Sequence, residues 1–370
     1  MNSPPPDYTR TAHMRRALDA ALRAAGRTSP NPVVGCVIAS GEEVIAVGHH
    51  RLAGTAHAEI VALQAAGERA RGADVYVTLE PCNHYGRTPP CTEALIGAGV
   101  ARVFIGMRDP HPLVDGRGIK RLEEAGIEVQ IGVLAAECQR ANESFTHYVR
   151  TRRPFVVGKL AQSLDGRVAT HTGESKWITG EAARARGHAL RNTLDAILVG
   201  VDTVIADDPS LTCRIDGGRD PVRVVLDTHA RTPPSARLLQ LESKAPSWIV
   251  VGQDAPEARV QVLADTGAQV IRCGTRDGRV WLDDMLVRLG EREIMSLLVE
   301  GGPTVLGSFR DRGLLNKVYA FVAPKLIGGD GARASLGALG AGSLDASLEL
   351  EIADREWLGD DLLLVAYPKR

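Results

Sequence analysis

The chain has 370 residues, 44% of them hydrophobic and 24% charged, with 44 Lys and Arg against 45 Asp and Glu for a formal net charge of −1. Such a length suggests two domains, and the apolar content is ordinary for two packed cores. The near-neutral balance argues against a protein that neutralises many nucleic-acid phosphates, and no apolar run approaches the roughly 20 residues of a membrane span. Six cysteines, at 36, 82, 91, 138, 213 and 273, do not make a disulfide scaffold and fit a reducing cytoplasm. The N-terminus lacks the basic start and apolar run of a signal peptide, and its first seven residues read as a disordered tail.

Residues 8–25 read as a helix, with Met14, Ala17, Leu18, Ala21 and Leu22 on one face and Gly26 as its stop. Residues 33–38 are a short apolar strand, and 44–48 its hairpin partner across Ser40-Gly41. A helix follows over 57–70, with His57 and Glu59 in its first turn. A strand at 74–79 ends at Pro81-Cys82. Cys91 opens a helix at 92–98, and then come a strand at 102–107, a helix at 119–125 and a strand at 127–131. Strands alternating with helices predict an α/β sheet. Ligands of such sheets bind near the carboxyl ends of strands, and residues 80–91 form one such end.

Chemistry concentrates there. Thr55-Ala-His57-Ala-Glu59 and Pro81-Cys82, with Cys91, place one imidazole, two thiols and one carboxylate within 35 positions. Zinc binds imidazole and thiolate well, and a catalytic zinc keeps three protein ligands and an open position. His57, Cys82 and Cys91 are assigned to the metal. Glu59 is the proton-transfer group, general base and then general acid. An H-x-E element followed by Pro-Cys is the sign of zinc-dependent base deaminases, although here eight residues rather than two separate the cysteines. Asn31, His84 and Asp109 read either as pocket groups or as a turn Asn, a surface His and a capping Asp. His49, His50 and His111 read as hydrogen-bonded loop residues.

Residues 134–150 read as one helix, and Thr151-Arg-Arg-Pro154 then breaks the pattern. This joint divides the chain into domains 1–150 and 151–370. Strands are expected at 155–160, 196–200 (continuing into 201–214), 222–226, 247–251, 269–271 and 297–300. Helices are expected at 184–192, 261–264, 281–289 and 305–312. This half is α/β again. No G-x-G-x-x-G follows a strand. The phosphate candidate is Glu300-Gly301-Gly302-Pro303-Thr304 with Gly307 and Ser308, a strand-to-helix turn that by itself reads equally as a plain turn.

Pro81-Cys-Asn-His-Tyr-Gly-Arg-Thr-Pro-Pro-Cys91 closely resembles the deaminase of bacterial riboflavin biosynthesis, as do Thr28-Ser-Pro-Asn31-Pro-Val-Val-Gly35-Cys-Val and Met107-Arg-Asp-Pro-His-Pro112. Leu160-Ala-Gln-Ser-Leu-Asp-Gly-Arg167, Val204-Ile-Ala-Asp-Asp-Pro-Ser-Leu-Thr212 and Val299-Glu-Gly-Gly-Pro-Thr304 resemble the reductase of the same enzyme. The whole chain is similar to the bifunctional pyrimidine deaminase/reductase family. That resemblance implies an N-terminal cytidine-deaminase-like domain and a C-terminal dihydrofolate-reductase-like domain, with one zinc ion per chain and NADPH as cofactors. It implies dinucleotide contacts from Ala161, Trp177, Thr203, Asp207, Thr228, Gly302, Pro303, Thr304, Gly307 and Ser308. It implies substrate contacts from Asn31, His84, Asp109, Ser175, Arg191, Leu211, Arg214 and Glu300.

Read from the residues alone, Trp177 fits a core and Arg191 a solvated helix face. Arg191 and Arg214 are guanidinium groups suited to a substrate phosphate, and Asp207 or Glu300 is placed to assist proton transfer. The expected partner is a small pyrimidine ribosylamine phosphate, with no nucleic acid and no membrane. The expected assembly is a cytoplasmic homo-oligomer.

Overall fold

The computed structural model describes residues 7–84, 89–111 and 115–369. The expected tail (apart from Asp7), Tyr85–Thr88 of the cysteine motif and Pro112 lie outside the described residues. The chain forms two compact units, Met1–Arg152 and Arg153–Arg370.

The first unit runs α1 (Asp7–Leu22), β1 (Gly35–Ser40), β2 (Glu43–His49), α2 (Ala58–Ala66), β3 (Asp74–Leu79), α3 (Cys91–Ala98), β4 (Arg102–Met107), α4 (Arg117–Glu124), β5 (Glu128–Ile131), α5 (Ala135–Ala141) and α6 (Glu143–Thr151). Its sheet order is β2-β1-β3-β4-β5, with β3, β4 and β5 parallel. β3 and β4 are apolar nearly throughout because helices cover both faces. On one face Tyr76 stacks on its cross-strand partner Phe104 at 4.7 Å. The other face packs against Ala58, Ala62 and Leu95 of α2 and α3.

Two expectations change. His57 is the N-cap of α2 rather than a first-turn residue, and a 3-10 turn finishes that helix from Gly67. The single helix expected over 134–150 is two helices meeting at Asn142. The Asn142 side chain accepts from Val33 N at 2.9 Å and donates to Val33 O at 3.0 Å, so it serves a distant strand entry instead of the helix.

The second unit runs β6 (Phe155–Ser163), β7 (Arg167–Ala169), α7 (Glu181–Thr193), β8 (Ala196–Gly200), α8 (Val201–Asp207), β9 (Val222–Leu226), β10 (Ser247–Gly252), α9 (Glu257–Asp265), β11 (Gln269–Cys273), β12 (Thr275–Arg276), β13 (Arg279–Val280), α10 (Leu282–Gly290), β14 (Ser296–Val299), α11 (Pro303–Asp311), β15 (Lys317–Ala323), β16 (Arg333–Ala334), β17 (Leu350–Leu358) and β18 (Asp361–Pro368). The large sheet has the order β11-β10-β9-β8-β14-β6-β15-β18-β17. Two apolar clusters fill its faces, one around Ile197, Ile249 and Leu298, the other around Leu198, Val250 and Leu297. Residues 201–207, expected to continue a strand, coil into α8. The strands after residue 316 were not anticipated. No helix among the described residues is long and apolar enough to cross a membrane.

Candidate metal centre and anion cleft

Three elements converge on the first site. The extended N-cap of α2 carries His57, the end of β3 delivers Cys82, and Cys91 opens α3. His57 Nδ1 lies 3.2 Å from Cys91 Sγ and 3.6 Å from Cys82 Sγ, and all three donor atoms fall within 4.8 Å of one another. Zinc bonds of roughly 2.1 Å to nitrogen and 2.3 Å to sulfur in a tetrahedron place neighbouring donors about 3.6 Å apart, so the group fits that ion. The sulfurs already share a charge. Cys82 is pushed down to about 4, by its hydrogen bond with Cys91 and then by His57, while the same sharing and burial push Cys91 up.

Glu59 sits in the first turn of α2, 3% exposed and in hydrogen-bond contact with Cys91. Burial raises its carboxyl to about 7. It is therefore poised to take up and release a proton near neutral pH.

Asn31 and Asp109 flank this centre in different ways. Asn31 Nδ2 meets His50 Nε2 at 3.1 Å, and the other ring nitrogen of His50 meets Ala56 O at 3.1 Å. His50 is thus a bonded, buried residue beside His57, with ring centroids 5.6 Å apart. Asp109 follows β4 and is buried, accepting from His111 N at 2.8 Å. His84 is exposed.

Glu80 went unread in the sequence. It is buried at the end of β3 and accepts four backbone N–H bonds, from Asp109 and Gly116 on Oε2 and from Gly118 and Ile119 on Oε1, at 3.0–3.3 Å. A Cβ at Gly118 would meet Pro81 O at 2.2 Å. Glu80 ties the loop bearing Asp109 to the strand end bearing Cys82.

The second unit holds a cleft of about 1320 Å³ along the carboxyl ends of β6, β8, β9 and β14. It is lined by Ala161, Ser175, Thr203, Asp207, Thr228, Glu300, Gly302, Pro303, Thr304 and Ser308 among the sequence candidates. Gly302 caps α11 and Pro303 opens it, and both line the cleft, so the positive end of this helix meets the cavity, where an anion such as a phosphate is favoured. The Ser308 hydroxyl turns back to Thr304 O at 2.8 Å.

Five candidates do not line this cleft. Gly307 packs against Gly337, where a Cβ would meet its carbonyl oxygen at 2.2 Å. Leu211 is buried in the core. Trp177 is 61% exposed, with the Arg184 guanidinium 4.7 Å over its ring, and so is not a core residue. Arg214 is exposed.

Arg191 lies behind the cleft wall. Its Nε and Nη2 donate to Glu300 at 3.0 and 2.7 Å and its Nη1 to Thr212 O at 3.1 Å. The fork expected to take a phosphate is therefore engaged with a carboxylate. Burial pushes the Glu300 carboxyl up, but Arg191 and Lys159 outweigh it and hold it at about 2. Glu300 stands as an acceptor. Lys159 Nζ is 3.9 Å from Glu300. Lys159 and Ala161 share one face of β6, a two-residue spacing that marks Lys159 as a cleft residue in the sequence itself.

A His/Cys/Cys cluster beside a buried carboxylate on one α/β unit, and a cleft at a helix N-terminus on another, are the features of a zinc-dependent deaminase fused to a reductase. Known families agree. The zinc-binding region of cytidine and deoxycytidylate deaminases matches residues 8–107, and the RibD C-terminal domain matches residues 154–364. The riboflavin biosynthesis protein RibD of Actinobacillus pleuropneumoniae is 45% identical over 352 residues, 95% of this chain and 93% of that protein. That of Bacillus amyloliquefaciens is 44% identical, covering 96% of each. Acinetobacter baumannii RibD superposes with a TM-score of 0.87 at 38% identity, covering 99% of this chain and 100% of the other. A Thermotoga maritima diaminohydroxyphosphoribosylaminopyrimidine deaminase/5-amino-6-(5-phosphoribosylamino)uracil reductase gives 0.86 at 34% identity, covering 98% and 99%.

The chain belongs to the RibD family, the bifunctional deaminase/reductase enzymes of riboflavin biosynthesis. Its cofactors are zinc in the deaminase half and NADPH in the reductase half.

Proposed function

We propose that residues 1–150 hydrolytically deaminate 2,5-diamino-6-(5-phosphoribosylamino)pyrimidin-4-one. Residues 151–370 then reduce the ribosyl group of 5-amino-6-(5-phosphoribosylamino)uracil to ribityl. The observation that carries this reading is the His57–Cys82–Cys91 cluster with buried Glu59 beside it. The relatives' names supply the substrates, and the two compact units support the division of labour.

In the first half, His57 Nδ1 and the two sulfurs hold zinc, which supplies an acidified water when bound. The Glu59 carboxylate takes a proton from the attacking water and gives one to the departing amine as ammonia leaves. Burial suits it to both transfers. Asn31, His84 and Asp109 are the groups within reach of the pyrimidine, and Glu80 fixes the loop of Asp109.

In the second half, ring opening of the ribosylamine leaves a C=N bond. NADPH held in this cleft would supply a hydride to its carbon, with a solvent proton going to the nitrogen. Ala161, Thr203, Asp207, Thr228, the 302–304 turn and Ser308, which line the cleft, hold the dinucleotide, and Gly307 serves them by letting α11 pack against Gly337. Ser175 approaches the substrate from the cleft wall. Glu300 stays ionised between Arg191 and Lys159 and orients the substrate by accepting hydrogen bonds. Lys159 is the cation at hand for developing negative charge.

The protein acts in the cytoplasm as a homo-oligomer. The edge strand β17, with Ile352 and Trp357 exposed by 58% and 71%, supports self-association. The test supplies the diamino substrate and follows ammonia release and NADPH absorbance separately, with and without chelator. Chelator-sensitive ammonia release followed by NADPH oxidation is expected. Ammonia release without NADPH consumption overturns the reductase half.

A further inference from the structure

β12 and β13 form a hairpin whose turn, Asp277-Gly278, has φ of 53° and 69°, the left-handed pair a two-residue hairpin requires. Its register sets Arg276 directly opposite Arg279. Like charges at such a pair destabilise a hairpin. Both guanidinium groups are exposed, and neither forms an ion pair among the described residues, although Asp277 lies between them in the turn. By contrast Arg231, which also lines the cleft, binds Asp202 at 2.6 Å.

The hairpin is nevertheless fixed. Val280 N donates to Thr228 Oγ1 at 3.2 Å, Trp281 N to Gly274 O at 2.8 Å, and Gly274 N to Asp284 Oδ2 at 2.6 Å. Arg276, Arg279 and Thr228 all line the cleft. Two unpaired cations are thus held on a rigid support at a cavity wall, which suits an anionic group of the cavity's occupant.

Position decides which group. Glu300 and the phosphate-receiving turn follow β14, and Thr228 follows β9. β8 lies between these strands in the sheet. With the reacting end at Lys159 and Glu300 and the diphosphate at the N-terminus of α11, the far end at Thr228 and the hairpin receives the adenosine ribose. NADPH differs from NADH there by a single 2′-phosphate. Arginine accommodates that phosphate in dinucleotide sites, because its planar fork matches phosphate oxygens.

We propose that Arg276 and Arg279 of the β12–β13 hairpin grip the 2′-phosphate of NADPH, over the Thr228 hydroxyl, and so select NADPH against NADH. The proposal rests on the reductase reading above and adds the residues that discriminate.

The test is calorimetric titration of the full-length, zinc-loaded protein with NADP+ and, separately, NAD+. R276A and R279A should each weaken NADP+ binding by about tenfold to a hundredfold, the range for a charge-assisted bond, and leave NAD+ within about twofold. The double variant should bind the two nucleotides alike. R276Q and R279Q, which retain length and polarity, stand in for a variant that does not fold. Equal weakening of NADP+ and NAD+ overturns the proposal by making the hairpin a general support, and so does NADP+ binding unchanged in both variants. Wild-type protein that binds neither nucleotide overturns the reductase reading itself, and the proposal with it.

Discussion

Arg191 on α7 clasps Glu300 at the end of β14 through two parallel hydrogen bonds of 3.0 and 2.7 Å, across 109 positions of sequence. This pair sets the charge at the reacting end of the cleft. R191A leaves the buried Glu300 carboxylate with only Lys159, and breaking a buried pair from one side costs about 3–5 kcal/mol. Denaturant unfolding should show a loss of that order, smaller for R191K. The sign with pH follows from the depressed carboxyl. Its contribution is fully present above the ordinary carboxylate pKa near 4.5 and is lost as pH falls toward about 2. An R191A midpoint equal to wild type would mean that solvent, not Arg191, keeps Glu300 charged.

Glu59→Gln keeps the shape of the first site and removes the proton carrier. Ammonia release should fall by about 10²–10⁴, the usual contribution of general acid–base catalysis. Metal analysis should still find one zinc per chain, and reduction of already deaminated substrate should continue. Unchanged ammonia release with zinc retained would remove Glu59 from the mechanism and leave the metal a structural role.

The zinc cluster was legible in the sequence because His57, Cys82 and Cys91 announce themselves by residue type, and soft ligands have few other reasons to gather. Their setting was less legible. His57 is a cap because the helix begins one residue later than the apolar pattern suggests. The break at Asn142 is set by Val33, 109 positions away, and helical spacing runs through it undisturbed. Glu80 and Arg191 are ordinary charged residues until folding brings four N–H groups to one and a carboxylate to the other. β17 is exposed on both faces, so it shows no alternation to find.

Removing the metal should separate the halves. Cys91→Ser, or chelator, withdraws a cross-link among α2, β3 and α3. The thermal midpoint of the first unit should drop by more than about 4 °C, and ammonia release should vanish. NADP+ titration should be unaffected. A parallel loss of NADP+ binding would show that the second unit depends on the first for its fold.

Glu80→Ala strands four backbone N–H groups, those of Asp109, Gly116, Gly118 and Ile119. Each buried orphan costs about 1–3 kcal/mol unless water replaces the carboxylate, so a loss of at least about 3 kcal/mol is expected. Glu80→Gln keeps one accepting oxygen and should lose less. The loop of Asp109 is then less well placed, so KM for deamination should rise more than kcat falls. Equal unfolding midpoints for wild type and Glu80→Ala would show that the loop holds itself.

Gly307 tests whether α11 is fixed by its own propensity or by what it packs on. In an isolated helix Gly→Ala gains about 1 kcal/mol. Here the new methyl would meet Gly337 O at 2.2 Å and Gly337 C at 2.6 Å, both backbone atoms that no rotamer change can move. Overpacking of this kind costs about 1–3 kcal/mol or more, so it outweighs the propensity gain and the sign is destabilising. The displacement also shifts the N-terminus of α11, where the diphosphate is received. G307A should therefore weaken NADP+ and NAD+ equally, since the diphosphate is common to both. That pattern separates it from R276A and R279A, which act on the 2′-phosphate alone. A stabilised G307A with unchanged nucleotide binding would mean that the 337 segment yields and the helix is held by its caps.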